Sequence, residues 1–328
     1  MPEYHWKYTN PIFDAHTHSW DGFMEEMVAV DEALGVKEQL LIIHQKEVRD
    51  AVAERFPGRF VFAKYLSMRS LFAYRIEEVV QEIEEMESDG FSMAKMWFAP
   101  RARDFVGGKA EPINLRNPRL KPVFEKLEEQ GHPLLIHVGD PDTFFATTYS
   151  NTSVYGTKED HLDQLEYLIR DYPKLRFQLA HFGAQPEIHR LPRLASWFDK
   201  YPNFVVDTAS SRWMARELSK DPKRARDFLI KYSKRILFGT DGVFRKSAKP
   251  VSRDSTGEVV EARSPYYVRV LAQRILWETD KRDIPLPFPD ADTEAIGGTF
   301  INGLDLPISA LKDLYWDNAH RLYGSMVA

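Results

Sequence analysis

Short apolar runs recur along the chain with segments of helical periodicity between them, and this alternation constrains the fold more than any other feature of the sequence. The runs are Pro11 to Ala15, Gln39 to His44, Arg59 to Tyr65, Ser92 to Phe98, Pro133 to Val138, Leu175 to His181, Asn203 to Asp207 and Arg235 to Asp241. Near-continuous apolar strands are expected where both faces of a parallel sheet lie under helices. Between them, Ile76 to Ser88 places Ile76, Val79, Val80, Ile83 and Met86 at helical spacing and stops at Gly90. Pro118 to Gln130, His161 to Tyr172 and Pro222 to Tyr232 follow the same pattern, and Gly131 and Pro173 punctuate the first two.

Eight strand–helix repeats predict a TIM (β/α)8 barrel, for which about 250 residues is typical. The rival, an open doubly wound sheet, would usually carry a glycine-rich phosphate loop after an early strand, and the sequence has none. The 328 residues, 43% of them hydrophobic, can bury one large α/β core. A single domain over 1–328 is therefore expected, with an insertion over about 245–307 after the eighth strand and C-terminal helices. Within that insertion, 245–265 reads as a polar loop bearing Lys246, Lys249, Arg253, Asp254 and Glu258. A helix is expected near Tyr266 to Thr279, then a Pro- and Gly-rich loop over 283–307 that packs on the barrel, then a last helix from Ser309 to Tyr323.

A formal net charge of −5 gives no basic excess for nucleic acid or an anionic membrane, and neither partner is expected. The absence of cysteine excludes thiolate nucleophiles, disulfides, iron–sulfur clusters and cysteine-based zinc sites. No run approaches the roughly 20 apolar residues needed to span a bilayer, and the first residues do not read as a secretory signal. A soluble cytoplasmic protein is the expectation.

The polar residues at the strand ends carry the chemistry. In a barrel of this kind, active sites sit at the C-terminal ends of the strands. His16 and His18 end the first strand, and side chains two apart share a face. His137, His181 and Asp241 end the fifth, sixth and eighth strands. Four imidazoles and a carboxylate converging on one mouth make a nitrogen and oxygen donor set that suits zinc best, with manganese or iron(II) also compatible, as one ion or two. Taken singly, each has a plainer reading. A His-x-His pair is common, His137 or His181 alone suits a hydrogen-bonded core position, and Asp241 suits a helix cap before Gly242.

The words Phe13-Asp14-Ala15-His16-Thr17-His18, Leu179-Ala180-His181-Phe182-Gly183, Phe238-Gly239-Thr240-Asp241 and Trp316-Asp317-Asn318-Ala319-His320-Arg321-Leu322-Tyr323-Gly324 resemble the amidohydrolase superfamily. They are most similar to its amidohydrolase-related branch, which holds aminocarboxymuconate-semialdehyde decarboxylase and the hydroxybenzoate decarboxylases beside hydrolases. The resemblance implies that His16, His18 and His137 are metal ligands. It makes Asp241 a ligand or the general base. It makes His181 a ligand to a second metal or a group that polarises the substrate. It implies one of two roles for Lys95: carboxylation to bridge two metals, or contact with substrate. A structural ion pair is the third reading of this lysine.

Strand parity sets Trp97 on the same face as Lys95. His44, Arg101, Arg103, Asp140, Arg212, Trp213 and Arg245 follow strand ends and are candidates for contact with a small-molecule substrate. An arginine among them would take a carboxylate through paired hydrogen bonds. The stretch Phe144 to Tyr149 can form an aromatic wall. Hydrolysis of an ester, lactone or amide by metal-activated water is the leading expectation. Metal-dependent non-oxidative decarboxylation of a small aromatic or enoic acid is the alternative. Decarboxylase-like members often follow the aspartate with an aromatic and a proline, whereas this chain has Gly242-Val243-Phe244. A homodimer is the assembly the resemblance implies.

Overall fold

A computed structural model describes residues 4–105, 114–246 and 264–324. Strands β1 (Ile12–Ser19), β2 (Val36–Ile43), β3 (Phe60–Tyr65), β4 (Met93–Trp97), β5 (Leu134–His137), β6 (Phe177–Leu179), β7 (Phe204–Asp207), β8 (Ile236–Leu237) and β9 (Gly242–Phe244) form one parallel sheet. Their spatial order is β8-β7-β6-β5-β4-β3-β2-β1-β9. The expected eighth strand is thus two pieces, one pairing β7 and the other pairing β1. Two backbone hydrogen bonds span the break and close the ring. Ala15 N donates to Phe238 O at 2.8 Å, and Asp241 N donates to His16 O at 2.9 Å. The arrangement is the predicted TIM barrel.

Helices over Ile76–Glu85, Lys121–Gln130, Lys158–Asp171, Leu191–Lys200 and Pro222–Lys231 pack their apolar stripes on the outside of the sheet. Four of them begin or end within a few residues of the expected helices, and Leu191–Lys200 is one that the sequence reading does not place. A separate, smaller cluster fills the inside: Phe13, Ala15, Leu40, Ile42, Val61, Ala63, Met93, Leu135, Ala180 and Leu237, closed from one end by Ala319 and Tyr323. Alternation therefore sends every second strand residue inward. On most strands the next inward position is a polar or aromatic side chain at the mouth: His44 after Ile42, Tyr65 after Ala63, Lys95 after Met93, His137 after Leu135.

Strand β1 departs from this rule. Phe13 and Ala15 face the interior, yet His16 and His18 face the mouth. The pairing with β2 shifts register between Asp14 and Thr17, and such an irregularity moves the following side chains to the other face. Asp14 anchors the shifted stretch. It is fully buried, and its carboxylate accepts from His16 N and Thr240 N (both 3.1 Å), Thr240 Oγ1 (2.6 Å) and Tyr266 Oη (3.1 Å).

The segment after β9 holds a helix, Pro265–Glu278, near its expected place, but 247–263 of the expected polar loop lie outside the described residues. The stretch expected as a packed loop contains a short antiparallel pair, β10 (Ile284–Pro285) with β11 (Phe300–Ile301). Buried Arg216 ties it to the barrel through Asp290 at 3.1 Å and Asp292 at 2.7 Å. The final helical stretch runs from Ile308 to Tyr323. Among the described residues no helix is long and apolar enough to cross a membrane.

Replacing Asp14 with alanine strands four buried donors, His16 N, Thr240 N, Thr240 Oγ1 and Tyr266 Oη. Denaturant unfolding should show a loss of about 2–4 kcal/mol for Asp14→Ala and a clearly smaller loss for Asp14→Asn, which keeps the shape. Equal losses would contradict the hydrogen-bonding role.

Candidate metal centre

At the C-terminal mouth of the barrel, His16, His18 and Asp241 each turn a ligand atom toward a common point, all within 4.8 Å of one another. Asp241 Oδ1 lies 3.3 Å from His18 Nε2 and 3.6 Å from His16 Nε2. Two ligands that each sit about 2.1 Å from a shared ion stand about 3–3.5 Å apart, so these donors have nearly the spacing a divalent metal requires. Burial drives the His18 imidazole down to about 4 and the His181 imidazole down to about 3. Both rings are therefore neutral at pH 7, the state in which an imidazole binds metal. Burial pushes the Asp241 carboxyl up, but the hydrogen bond from His18 and the adjoining imidazoles outweigh it and hold the carboxyl well below its ordinary range.

Local backbone fixes these groups. Asp241 occupies the break between β8 and β9 in a left-handed conformation (φ 56°). Gly239 in the same break is a necessity of packing, because a Cβ there would lie 3.1 Å from the Cβ of His16. Gly242 is fixed in the same way: a Cβ would come within 2.6 Å of the Tyr266 ring. His181 opens a left-handed turn with Phe182, Gly183 and Ala184 (φ 57°, 59°, 62° and 58°). Three of these four residues bear a Cβ, and each left-handed residue of that kind costs roughly 1–2 kcal/mol. The turn is held from below by a hydrogen bond from His181 N to Asp207 Oδ1 (2.9 Å).

Asp207 is the residue that sequence reasoning missed. It ends β7 fully buried, and its other oxygen accepts from His16 Nδ1 at 2.9 Å and from Gln178 Nε2 at 2.7 Å. It thereby fixes the His16 tautomer with Nε2 facing the cavity, the outer support that metal-binding histidines commonly have. Its signal was available, since it is an acid ending an apolar strand at the same face as the others. Asp140, expected as a substrate contact, instead sits behind His137. It meets His137 Nε2 at 2.9 Å and accepts from Tyr149 Oη at 2.6 Å.

All the ligand candidates line one cavity of about 1250 Å³: His16, His18, Lys95, His137, His181 and Asp241. His137 and His181 do not join the convergent trio. Their rings meet each other, with His137 Nδ1 3.2 Å from His181 Nε2, while His181 Nδ1 is buried without a hydrogen-bond partner among the described residues. Lys95 is buried on the floor with Nζ 3.3 Å from His16 Nε2, and burial lowers its amine to about 8. His44, Trp97 and Trp213 also line the cavity, as do Trp20, Tyr65 and Phe105.

The arginines fall elsewhere. Arg101 is exposed and lies 3.9 Å from Asp104, while Arg103 donates to the Val154 carbonyl beside a different depression. Arg212 and Arg245 lie near Arg269, which donates to the backbone carbonyl of Asp241, and neither is among the lining residues. The arginine that does line the cavity is Arg69. Of the expected wall, Tyr149 is buried under Asp140, and Phe144 packs on Trp213 with ring centroids 5.6 Å apart.

With Asp207 supporting His16, Asp207→Asn should weaken manganese binding about 10–100-fold in a direct titration while the fold is kept, the usual cost of removing such a support. A second expectation concerns acid. Between about 4 and 6.5 the unfolded chain protonates His18 and His181 whereas the folded chain does not, so each imidazole removes stability as pH falls through that window. Asp14, raised to about 7 chiefly by burial, acts oppositely between 3.8 and about 7. In metal-free protein, His18→Gln should flatten the fall in unfolding free energy between pH 6 and 5 by up to about 1.4 kcal/mol per pH unit. An unchanged slope would refute the assignment.

Two solved structures of 5-carboxyvanillate decarboxylase from Novosphingobium aromaticivorans superpose along almost the whole chain. One, complexed with manganese and 4-hydroxy-3-methoxy-5-nitrobenzoic acid, has a TM-score of 0.52 at 12% identity and covers 96% of each chain. The other, a mutant with manganese bound and the same nitrobenzoic acid, has a TM-score of 0.53 at 12% identity and covers 96% of this chain and 97% of that one. At such identity the likeness is one of fold. No curated protein sequence shows a significant match. A family model, described as amidohydrolase, matches residues 72–325, which is most of the chain, and on that ground the chain belongs to the amidohydrolase family.

Proposed function

We propose that this protein is a metal-dependent, non-oxidative decarboxylase of an aromatic acid. The observation that carries the reading is the single convergent trio His16, His18 and Asp241 at the floor of a cavity walled by aromatic rings. The full-length fold likeness to manganese-containing decarboxylases supports it. Hydrolysis, the first expectation from sequence, is set second because the solved structures of like fold are decarboxylases. Manganese is the ion we favour over zinc, because it is the one found in the decarboxylases of like fold.

The ring-lined wall bears on the substrate. The rings of Trp20, His44 and Tyr65 form one cluster on this wall, with centroids 4.8 Å (Trp20–His44), 4.4 Å (His44–Tyr65) and 6.5 Å (Trp20–Tyr65) apart, and His18 lies 6.1 Å from Trp20. Such ring surfaces favour contact with another aromatic ring, stacked or edge-on. A flat aromatic acid is the substrate such a wall accepts.

A divalent ion held by His16, His18 and Asp241 would neutralise the substrate's acidic oxygens and draw electron density from the ring as the carboxyl departs. The chain's own groups do the rest. His16 is held in register by Asp207. Lys95, mostly protonated at neutral pH, faces the same floor and is the proton-bearing group there. The bond from ring carbon to carboxyl breaks, carbon dioxide leaves, and the electron pair left on the ring carbon takes a proton delivered through Lys95. The aromatic wall excludes water from that carbon.

The test is product analysis on manganese-loaded protein given a panel of hydroxybenzoic acids, with esters and lactones in parallel. Carbon dioxide release, one deuterium on the ring in heavy water, and loss of turnover after chelation, restored by manganese, are expected. Turnover confined to the esters or lactones would overturn the proposal in favour of hydrolysis.

A further inference from the structure

Resting on the decarboxylase reading for the identity of the site, we infer that Arg69 is a specificity-determining residue. It takes a second acidic group of the substrate, and that substrate is an aromatic diacid larger than one ring. Three observations lead there.

The first is size. The cavity, at about 1250 Å³, exceeds the roughly 300–1,000 Å³ usual for sites that hold drug-sized ligands. A one-ring acid seated at the metal trio would leave most of it empty of substrate.

The second is the distribution of charge. The cationic side chains among the described lining residues are Lys95 and Arg69. Lys95 is buried on the floor against His16, beside the metal trio. Arg69 is exposed and lies beyond the end of β3, in the short helix Met68–Phe72, so it stands at the outer rim. The two cations therefore mark two ends of one cavity.

The third is the state of Arg69. Most other described arginines have a side-chain ion pair or hydrogen bond, as Arg59 has with Asp31, Arg75 with Glu78 and Arg216 with Asp290, and of those without one among the described residues Arg69 is the one that lines this cavity. Arg69 has no ion pair or side-chain hydrogen bond among the described residues. A guanidinium lining an otherwise apolar wall of Leu66, Met68, Phe72 and Ala73 is placed to form a paired, charge-assisted contact with an incoming carboxylate. The apolar distance between rim and floor is filled by rings at Trp20, Tyr65, Trp97 and Phe105, which suit a fused or linked aromatic spacer.

The experiment measures binding, so it does not depend on turnover. Naphthalene-2,6-dicarboxylate, 2-naphthoate and benzoate are titrated into manganese-supplied protein, read by quenching of tryptophan fluorescence. The diacid should bind at least tenfold tighter than the monoacid, and benzoate weakest of the three. Arg69→Gln should reduce the diacid-to-monoacid affinity ratio at least tenfold, and Arg69→Lys should restore part of it. A wild-type ratio near one, or a ratio that Arg69→Gln leaves unchanged, overturns the inference. Carbon dioxide release from hydroxylated acids is assayed separately. Its failure would count against the decarboxylase reading and leave the Arg69 ratio standing on its own result.

Discussion

The carboxylate of Asp207 is the contact on which the site is built. One oxygen fixes His16 and receives Gln178, and the other receives the backbone of His181 and of Ala209. Three strands that are distant in sequence, β1, β6 and β7, are thereby referred to one buried charge. The charge is kept ionised because, although burial raises its pKa, the His16 imidazole and the hydrogen bonds outweigh burial and lower it. Without such a reference the left-handed turn at His181 would have little to hold it, since a strained backbone persists only where its surroundings determine it strongly.

The barrel itself separates two tasks by depth. Below, alternating apolar residues and the closing Tyr323 make a packed plug with no room for a ligand. Above, the same inward positions become Lys95, His137, Tyr65 and His44. Function is thus an extension of the packing pattern by one more residue per strand, which is why strand parity alone places so much of the site.

Much of this was legible in the chain. The alternation of apolar runs with helical segments sufficed for the barrel, and the strand-end polar residues sufficed to bring His16, His18, Lys95, Trp97, His137, His181 and Asp241 to one cavity. What was not legible depends on approach distances. The break in the eighth strand falls between Leu237 and Gly242, where Asp241 is left-handed, and no pattern in sequence marks it. The loop arginines are the opposite case. Position after a strand end brought Arg101 and Arg245 into consideration, but long side chains go where partners and solvent take them. Arg69 stands four residues past the end of β3, as Arg101 does past β4, so position after a strand end does not separate the arginine that lines the cavity from those that do not.

The shifted register of β1 gives that strand two identities. Its first half belongs to the plug, where any apolar side chain of similar volume serves. Its second half belongs to the metal centre, where only imidazoles do. The irregularity between Asp14 and Thr17 is the seam between them, and it uncouples the two halves during evolutionary change. The plug can be repacked without re-aiming a ligand. The loss or gain of one residue at the seam would turn Thr17, in place of both histidines, toward the cavity. A barrel so constructed can drift freely in its core while its chemistry remains tied to the spacing of a few backbone atoms.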